Sequence, residues 1–333
     1  MYSEQDIIKK LRKSFFHETS DIYGIGDDCA IIQTREESQL LITTDNLCEN
    51  IHFDLEYTKP YQLGHKSIIV NVSDIAAMGG LPQYAQIGCA LPQNISSDWV
   101  DDFITGIKEA CQLHNIHLTG GDTTASAQHV FISITMLGTM PPHHHVKLRR
   151  TAQNNDIICT TKTMGDASAG LHLLKQKKGA NNPHVQKLIE RHLCPKAQVS
   201  EGLWLSKQTH VHAMMDMSDG LCYDLKRIVE ASGCGAVINI EQIPLSNALQ
   251  KLAVQERWDI SSLALSGGED YSLLFTCNAQ HFKNLQKNFR KEFSYDFYAI
   301  GHITSNKNQI SYLKNGIEIT PNLEPYQHFS NGC

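Results

Sequence analysis

The sequence lacks the features that would place it in a membrane or outside the cell. No apolar run approaches the ~20 residues of a transmembrane helix, so we expect no membrane partner. The first residues show no cationic region followed by an apolar one, so we expect no secretory signal. The ten cysteines include no C-x-x-C pair, which disfavours a zinc site or a disulfide framework. These absences predict a protein of the reducing cytoplasm.

The common signatures of phosphate-binding and nucleophilic enzymes are also missing. The chain has no G-x-x-x-x-G-K-[ST] loop, no kinase H-R-D with D-F-G, and no G-x-G-x-x-G opening a helix. Spacing gives no support to a Ser–His–Asp or Cys–His arrangement. The net charge of −6 comes without a basic block, so we expect no nucleic-acid partner.

Length and pattern predict two globular α/β domains. The chain has 333 residues, of which 41% are hydrophobic and 19% charged. The first half has the order strand–helix–strand–helix–strand–strand, which is typical of a compact, ferredoxin-like α/β unit. Pro141-Pro142-His143-His144-His145 interrupts this pattern. We therefore predict domains at residues 1–140 and 146–333, and an α/β (α+β) fold class.

The three consecutive histidines allow two interpretations. Histidine-rich tracts can bind metal ions. A solvated linker is favoured, because no acid or thiol stands beside His143, His144 and His145.

The stretch from Asn71 to Gly80 indicates a site. Its apolar residues recur at helical spacing, and Asn71 and Asp74 lie three apart, on one face of that helix. A buried carboxylate there requires a cation or several hydrogen-bond donors. An exposed aspartate on an amphipathic helix would explain Asp74 alone, but an acid follows an apolar run five more times in the chain.

The loop acids share this position, beside glycine, serine or threonine at the end of an apolar run. They are Asp27, Asp28, Asp45, Asp74, Asp122, Asp216, Asp219, Glu269 and Asp270. Carboxylates that converge with hydroxyl groups are hard-oxygen ligands, which suit Mg²⁺, and Mg²⁺ commonly accompanies phosphates. The glycine pairs 120–121 and 267–268 could offer backbone N–H groups to a phosphate. Taken singly, each motif is also ordinary helix-cap or turn chemistry.

Six motifs in order resemble one family over residues 20–330. They are Gly24-Ile25-Gly26-Asp27-Asp28, Thr43-Thr44-Asp45, Asn71-Val72-Ser73-Asp74, Gly120-Gly121-Asp122-Thr123-Thr124, Asp216-Met217-Ser218-Asp219-Gly220 and Ser266-Gly267-Gly268-Glu269-Asp270-Tyr271. The set resembles the thiamine-monophosphate kinase family, of the aminoimidazole ribonucleotide synthetase-like superfamily. The resemblance implies that superfamily's two-domain fold, with a ferredoxin-like N-terminal domain and a C-terminal α/β domain. It also implies a homodimer whose N-terminal sheets associate.

The resemblance also implies roles for individual residues, with several Mg²⁺ ions and ATP as co-substrate. The metal-site residues would be Asp28, Thr43, Thr44, Asp45, Asp74, Asp122, Asp216 and Asp219. The ATP contacts would be Gly121, Asp122, Arg150 and Ser218, and the thiamine-phosphate contacts His52, Glu269 and Tyr326. Ala125-Ser126 stands where the family often has Arg-Gly. This departure shifts the expected phosphate contacts toward Arg149 or Arg150.

The implied reaction converts ATP and thiamine phosphate to ADP and thiamine diphosphate. Its acceptor is a phosphate oxygen that is already anionic, so no catalytic base or protein nucleophile is expected. Two alternatives stay open at this point. One is another ATP-dependent enzyme of the superfamily, such as the purine-synthesis cyclo-ligase. The other is a non-catalytic protein that binds a nucleotide or thiamine phosphate.

Overall fold

A computed structural model describes residues 4–15, 22–34, 39–178, 181–321 and 323. Within these ranges the strands form two sheets, of six and seven strands. The six-stranded sheet belongs to the N-terminal half of the chain and the seven-stranded sheet to the C-terminal half. The two-domain α/β fold predicted from the sequence is confirmed.

The N-terminal sheet has the strand order β1-β2-β3-β6-β4-β5. Strands β4 and β5 are parallel, and the other neighbours are antiparallel. The predicted order of strands and helices is confirmed by β3, α2, β4, α3, β5 and β6. The elements are α1 (Glu4–Phe15), β1 (Ile22–Tyr23), β2 (Ala30–Gln33), β3 (Gln39–Cys48), α2 (Pro60–Ala77), β4 (Leu81–Pro92), α3 (Ser97–Leu113), β5 (His117–Ser126) and β6 (Phe131–Thr139).

The C-terminal sheet has the order β13-β12-β9-β11-β7-β10-β8. Its strands are β7 (Ile157–Thr160), β8 (Val211–Asp216), β9 (Gly235–Asn239), β10 (Leu273–Cys277), β11 (Tyr298–Thr304), β12 (Ile310–Lys314) and β13 (Ile317–Ile319). The helices are α4 (Asp166–Lys175), α5 (Pro183–Leu193), α6 (Val199–Ser206), α7 (Leu221–Ser232), α8 (Asn247–Glu256), α9 (Ile260–Ser266) and α10 (Phe282–Phe293). Strand β8 lies at one edge of this sheet and contacts α2, so its last residue, Asp216, lies next to the N-terminal half.

Helix α2 is the element that joins the two halves. Pro60 stands in its first turn, where the missing N–H costs no hydrogen bond. The helix packs against α3 and the N-terminal sheet, and it also contacts α6 and β8 of the C-terminal half. Because it is covered on several sides, most of its residues are buried, including four polar ones. These side chains, Lys66, Ser67, Asn71 and Ser73, therefore need partners inside the protein.

The segment between the halves packs against α6. His144 Nδ1 lies 2.6 Å from Ser206 Oγ, and the His145 N–H donates to the Ser206 carbonyl at 3.1 Å. Val146 and Leu148 extend the N-terminal core. The segment is thus anchored, although His143 and His145 remain exposed. The boundary between residues 140 and 146 stays a prediction.

The described cysteines and helices show neither a disulfide bond nor a membrane span. The cysteines that the structure describes are all free thiols, most of them buried. Among the described helices, none combines the length and the apolar character that crossing a bilayer demands. Location in the cytoplasm stays a prediction.

Two glycines set the close crossing of α2 and α3. A Cβ atom at Gly64 would lie 2.1 Å from the Phe103 carbonyl oxygen, and one at Gly106 would lie 2.0 Å from the Tyr61 carbonyl oxygen. Both distances are far below van der Waals contact, and both neighbours are backbone atoms that cannot swing aside. The sequence therefore sets the spacing of this helix pair through two missing side chains.

Replacing either glycine with alanine should force the helices apart. We expect Gly64→Ala or Gly106→Ala to lower the free energy of unfolding by about 1–3 kcal/mol, as for other overpacked cores. Urea denaturation followed by circular dichroism measures the change. Gly24→Ala is the matched control, since a Cβ there meets nothing within 4 Å. Equal stability of all three variants would contradict the close-contact explanation.

Candidate functional site

A cavity of about 1260 Å³ opens between the two halves. The turn before β2, the end of β3, helix α2, the end of β8 and the loop after α9 all contribute to its wall. The volume exceeds the roughly 300–1,000 Å³ of a typical small-ligand pocket, so it can accommodate two substrates side by side.

Three carboxylates meet at one end of this cavity. Oxygens of Asp28, Asp74 and Asp216 all lie within 4.8 Å of one another. Asp28 follows the glycine turn, Asp74 projects from α2, and Asp216 ends β8. Asp28 Oδ2 is buried and has no hydrogen-bond partner among the described residues. A buried carboxylate oxygen without a donor is a position that a cation fits.

Neighbouring polar side chains hold these carboxylates in place. Thr43 Oγ1 donates to Asp74 Oδ2 at 2.5 Å, and Ser73 Oγ donates to Asp216 Oδ2 at 2.6 Å. Asn71 lies on the same side of α2 as Asp74, and its Oδ1 accepts from the Asp45 N–H at 3.1 Å. One helix thus orients acids from β3, α2 and β8 through short side chains.

Burial and the charges of neighbouring carboxylates raise the pKa values of Asp45, Asp74 and Asp216. Burial, together with the Asp28 charge, raises the pKa of Asp216 to about 7. Burial and the Asp219 charge raise the pKa of Asp45 to about 6. Burial, and then Asp45 and Asp216, raise the pKa of Asp74 well above its usual value. Near neutral pH the cluster therefore binds protons or cations to offset its charge.

Arg149 is a cation at this end of the cavity. Its guanidinium pairs with Asp28, and its backbone N–H donates to Asp27 Oδ2 at 3.0 Å. Arg150, the residue predicted to contact ATP, lies outside the cavity wall, with its guanidinium 4.5 Å from the centre of the Tyr23 ring. Because the two arginines are adjacent in the sequence, residue spacing does not show which of them lines the cavity.

Asp219 belongs to a second charged group, on the first turns of α7. The Arg227 guanidinium bridges Asp219 and Asp224, with Nη1 3.1 Å from Asp224 Oδ1. Asp224 Oδ2 accepts the Gly220 N–H at 3.0 Å and so fixes the turn that carries Asp219. Arg227 lines the cavity although no sequence motif singled it out.

Glu269 and Asp270 are neighbours with different roles. Asp270 turns away from the cavity and accepts the Gly165 and Ala167 N–H groups at the start of α4, at 2.5 and 3.0 Å. Glu269 lines the cavity, next to His192. Its backbone has a left-handed φ of 68°, which is uncommon for a residue with a side chain. Asp270 therefore caps helix α4, which is the ordinary helix-cap chemistry that the sequence also allowed. Glu269 has no such capping role and faces the cavity instead.

Gly121 and Asp122 lie apart from the cavity wall in this single chain. Strand β5 runs through the glycine pair to Ser126, with a bulge at residue 119. A Cβ at Gly121 would lie 1.8 Å from the Ile87 carbonyl oxygen, so the glycine permits β5 to pack closely on β4. Asp122 is exposed on this edge strand.

Most of the predicted site residues share the cavity. The residues in its wall are Asp28, Thr43, Thr44, Asp45, His52, Asp74, Asp216, Ser218, Asp219 and Glu269. Tyr326 lies outside the described residues. Sequence reasoning did not single out Lys175, His192 and Arg227, which also line the cavity. Each is a single basic residue on a helix, and such a residue gives no sequence signal of a site.

Comparisons with known proteins identify the family of this chain. The family model for the AIR synthase related protein N-terminal domain matches residues 26–140, and the model for the C-terminal domain matches residues 153–314. A thiamine-monophosphate kinase of Buchnera aphidicola (subspecies Acyrthosiphon pisum) is 34% identical over 98% of this chain and 99% of its own length. A thiamine-monophosphate kinase of Escherichia coli O157:H7 is 34% identical over 92% of each chain.

A solved structure gives the same result for the three-dimensional fold. It is described as AaThiL complexed with AMPPCP and TMP, and it is 32% identical. The match has a TM-score of 0.85 and covers 98% of this chain and 97% of the other. The two family models match most of the chain, the relatives are 34% identical over at least 92% of it, and the solved structure has the same fold. The chain therefore belongs to the thiamine-monophosphate kinase family.

Proposed function

We propose that this chain transfers the γ-phosphoryl group of ATP to thiamine phosphate, giving ADP and thiamine diphosphate. The observation that carries the proposal is the convergence of Asp28, Asp74 and Asp216 in a cavity large enough for both substrates. The solved relative with AMPPCP, an analogue of ATP, and TMP supports the same pair of ligands.

We propose Mg²⁺ as the metal, because the donor set consists of carboxylate and hydroxyl oxygens without a cysteine or histidine. The unpartnered Asp28 Oδ2 fits such an ion. The ligands would come from Asp28, Thr43, Thr44, Asp45, Asp74, Asp122, Asp216 and Asp219. When bound, the ions would offset phosphate charge and allow two polyanions to approach each other.

The protein's own residues position the substrates. The acceptor oxygen of thiamine phosphate is already anionic near neutral pH, so no side chain needs to remove a proton from it. Arg149 supplies a fixed positive charge beside the acids, and Ser218 lies in the wall near Asp219. His52 Nδ1 accepts the Cys48 N–H at 3.0 Å, and this contact fixes the ring in the cavity wall. Direct in-line transfer follows, with positioning and charge supplying the rate.

Product formation tests this function directly. Purified protein is incubated with ATP, Mg²⁺ and thiamine phosphate, and the products are separated by chromatography. Thiamine diphosphate and ADP should form in equal amounts. ADP without thiamine diphosphate, or binding without turnover, would overturn the proposal.

The Asp74→Asn variant tests the role of the acid cluster. The amide keeps the shape of the side chain but removes a charge that faces the phosphates. We expect kcat to fall by two or more orders of magnitude, about 3 kcal/mol or more, while the fold is retained. The circular dichroism spectrum checks the fold. Near-normal turnover at moderate Mg²⁺ would mean that Asp74 is not a ligand.

The raised pKa values predict a pH-dependent stability without metal. The ordinary pKa of an aspartate is 3.8, whereas in the folded chain the pKa is about 6 for Asp45 and about 7 for Asp216. The folded state therefore binds their protons more tightly than the unfolded state. Their stabilising effect is full below about pH 4 and is lost as the pH rises through about 6 and 7.

We therefore expect the Tm of the metal-free protein to fall between about pH 5 and pH 8. Added Mg²⁺ should raise the Tm more at the upper end of this range than at the lower end, because ionised acids bind it more tightly. Differential scanning fluorimetry measures both effects. In Asp74→Asn the fall should be smaller, since one repelling charge is absent. A Tm that rises with pH in the absence of metal would contradict this prediction.

We also propose that the chain forms a homodimer through its N-terminal sheet. Nearly all of β5 is exposed, and Tyr84, Leu118 and Phe131 expose 46%, 45% and 38% of their surface on this sheet. Association there would bury these apolar groups. In such a dimer Gly121 and Asp122 would serve the cavity of the other protomer, which accounts for their distance from the cavity of their own.

Sedimentation velocity at micromolar protein concentration should show a dimer. Leu118→Glu should shift the population toward monomer, because it places a charge in the apolar interface. Val254→Glu is the matched control, since Val254 is 81% exposed on α8, in the other half of the chain. A fully active monomer of the unmodified protein would contradict the dimer.

A further inference from the structure

Three side chains from three separate elements meet beside the cavity, away from the acid cluster. Lys66 Nζ of α2 lies 2.6 Å from Glu269 Oε1. His192 Nδ1 of α5 lies 3.0 Å from Glu269 Oε2. Each carboxylate oxygen therefore has its own donor, and the plane of the carboxylate is fixed.

The two donors are hidden, whereas the acceptor faces the cavity. The Lys66 and His192 side chains expose 3% and 4% of their surface, and the Glu269 side chain exposes 25%. A carboxylate offers about four acceptor positions, so two donors leave room for more. The accessible part of Glu269 lies in the cavity wall, where a substrate can reach it.

The backbone keeps Glu269 in this position at a cost. Its φ of 68° is left-handed, and so is the φ of 48° at Tyr271. The Glu269 N–H donates to the Ser218 carbonyl at 2.8 Å, and the Tyr271 N–H donates to the Met217 carbonyl at 3.0 Å. Strained conformations that are held by several contacts are concentrated at functional sites.

The charges of this group decide what Glu269 can recognise. Burial would raise the pKa of Glu269, but the Lys66 ammonium and His192 outweigh it and hold that pKa well below its usual value. Burial, and then Lys66, lower the pKa of His192, so the imidazole is neutral. The positive charge of Lys66 and the negative charge of Glu269 therefore cancel. Glu269 is then a strong hydrogen-bond acceptor with little net attraction for a further cation.

We propose that Lys66 and His192 are positioning residues that hold Glu269 as an acceptor for a neutral N–H donor of the substrate. This inference rests on the proposed function. In thiamine phosphate the donor is the amino group of the aminopyrimidine ring, and the cationic thiazolium ring is not the partner. The trio therefore determines specificity for the amino group.

Two substrate analogues test, without any mutation, whether Glu269 recognises the amino group or the thiazolium ring. The first carries a carbonyl in place of the pyrimidine amino group, and the second has a neutral ring in place of thiazolium. For the unmodified protein, we expect the carbonyl analogue to lose at least about tenfold in kcat/KM, because an acceptor then faces an acceptor. The neutral-ring analogue should stay within about threefold of thiamine phosphate. The reverse order would overturn the proposal.

Variants then test the two donors. Lys66→Met and His192→Leu should each raise the KM for thiamine phosphate, leave the KM for ATP unchanged, and reduce the discrimination against the carbonyl analogue. His192→Asn should restore most of the discrimination, since its amide can donate from nearly the same place as Nδ1.

Lys147→Met is the matched control for removal of a buried lysine. Lys147 is 4% exposed, and its Nζ donates to the Gln208 and Val211 carbonyls, both at 2.8 Å. We expect this variant to lose stability but to keep the full discrimination between thiamine phosphate and the carbonyl analogue. Unchanged discrimination in Lys66→Met and His192→Leu, with only a lower Tm, would show that the trio is structural. Failure of the unmodified protein to form thiamine diphosphate would instead refute the proposed function.

Discussion

Asp28, Asp74 and Asp216 bring their oxygens within 4.8 Å of one another in a largely buried place. Burial raises the pKa of Asp74 and of Asp216, and neighbouring carboxylates raise both pKa values further. A fold stable enough to hold this arrangement must fix each acid from outside the cluster. Thr43 and Ser73 provide two of those contacts, and the α2 backbone provides the frame.

The position of α2 explains why the site lies between the two halves. The helix is covered by α3 and the N-terminal sheet on one side and by α6 and β8 on the other. Its polar residues consequently contact both halves, as Ser73 does with Asp216 and Lys66 with Glu269. Moving the halves apart would separate the acids and would break the ion pair between Lys66 and Glu269. The same contacts thus stabilise the fold and assemble the cavity.

Sequence reasoning found the parts of the site that follow a local pattern. An apolar run that ends in an acid is visible in the sequence, and Asp28, Asp74 and Asp216 were all predicted from it. The two domains also follow from alternating strands and helices. Partners distant in the chain were not predictable in this way, because nothing in the spacing of Lys66, His192 and Glu269 shows that they meet. Arg149 and Arg150 differ only in the direction in which a short helical turn points them.

Helix α2 also sets the distance between the two ends of the cavity. Lys66 and Asp74 are eight residues apart, which corresponds to about 12 Å along a helix. One end therefore lies beside the acids that face phosphate, and the other beside the acceptor proposed to recognise a ring amino group. A substrate must present a phosphate at one end and an N–H donor at the other to use both. Thiamine phosphate has its phosphate and its aminopyrimidine at opposite ends of the molecule, so it can use both, whereas smaller phosphate esters reach only one end.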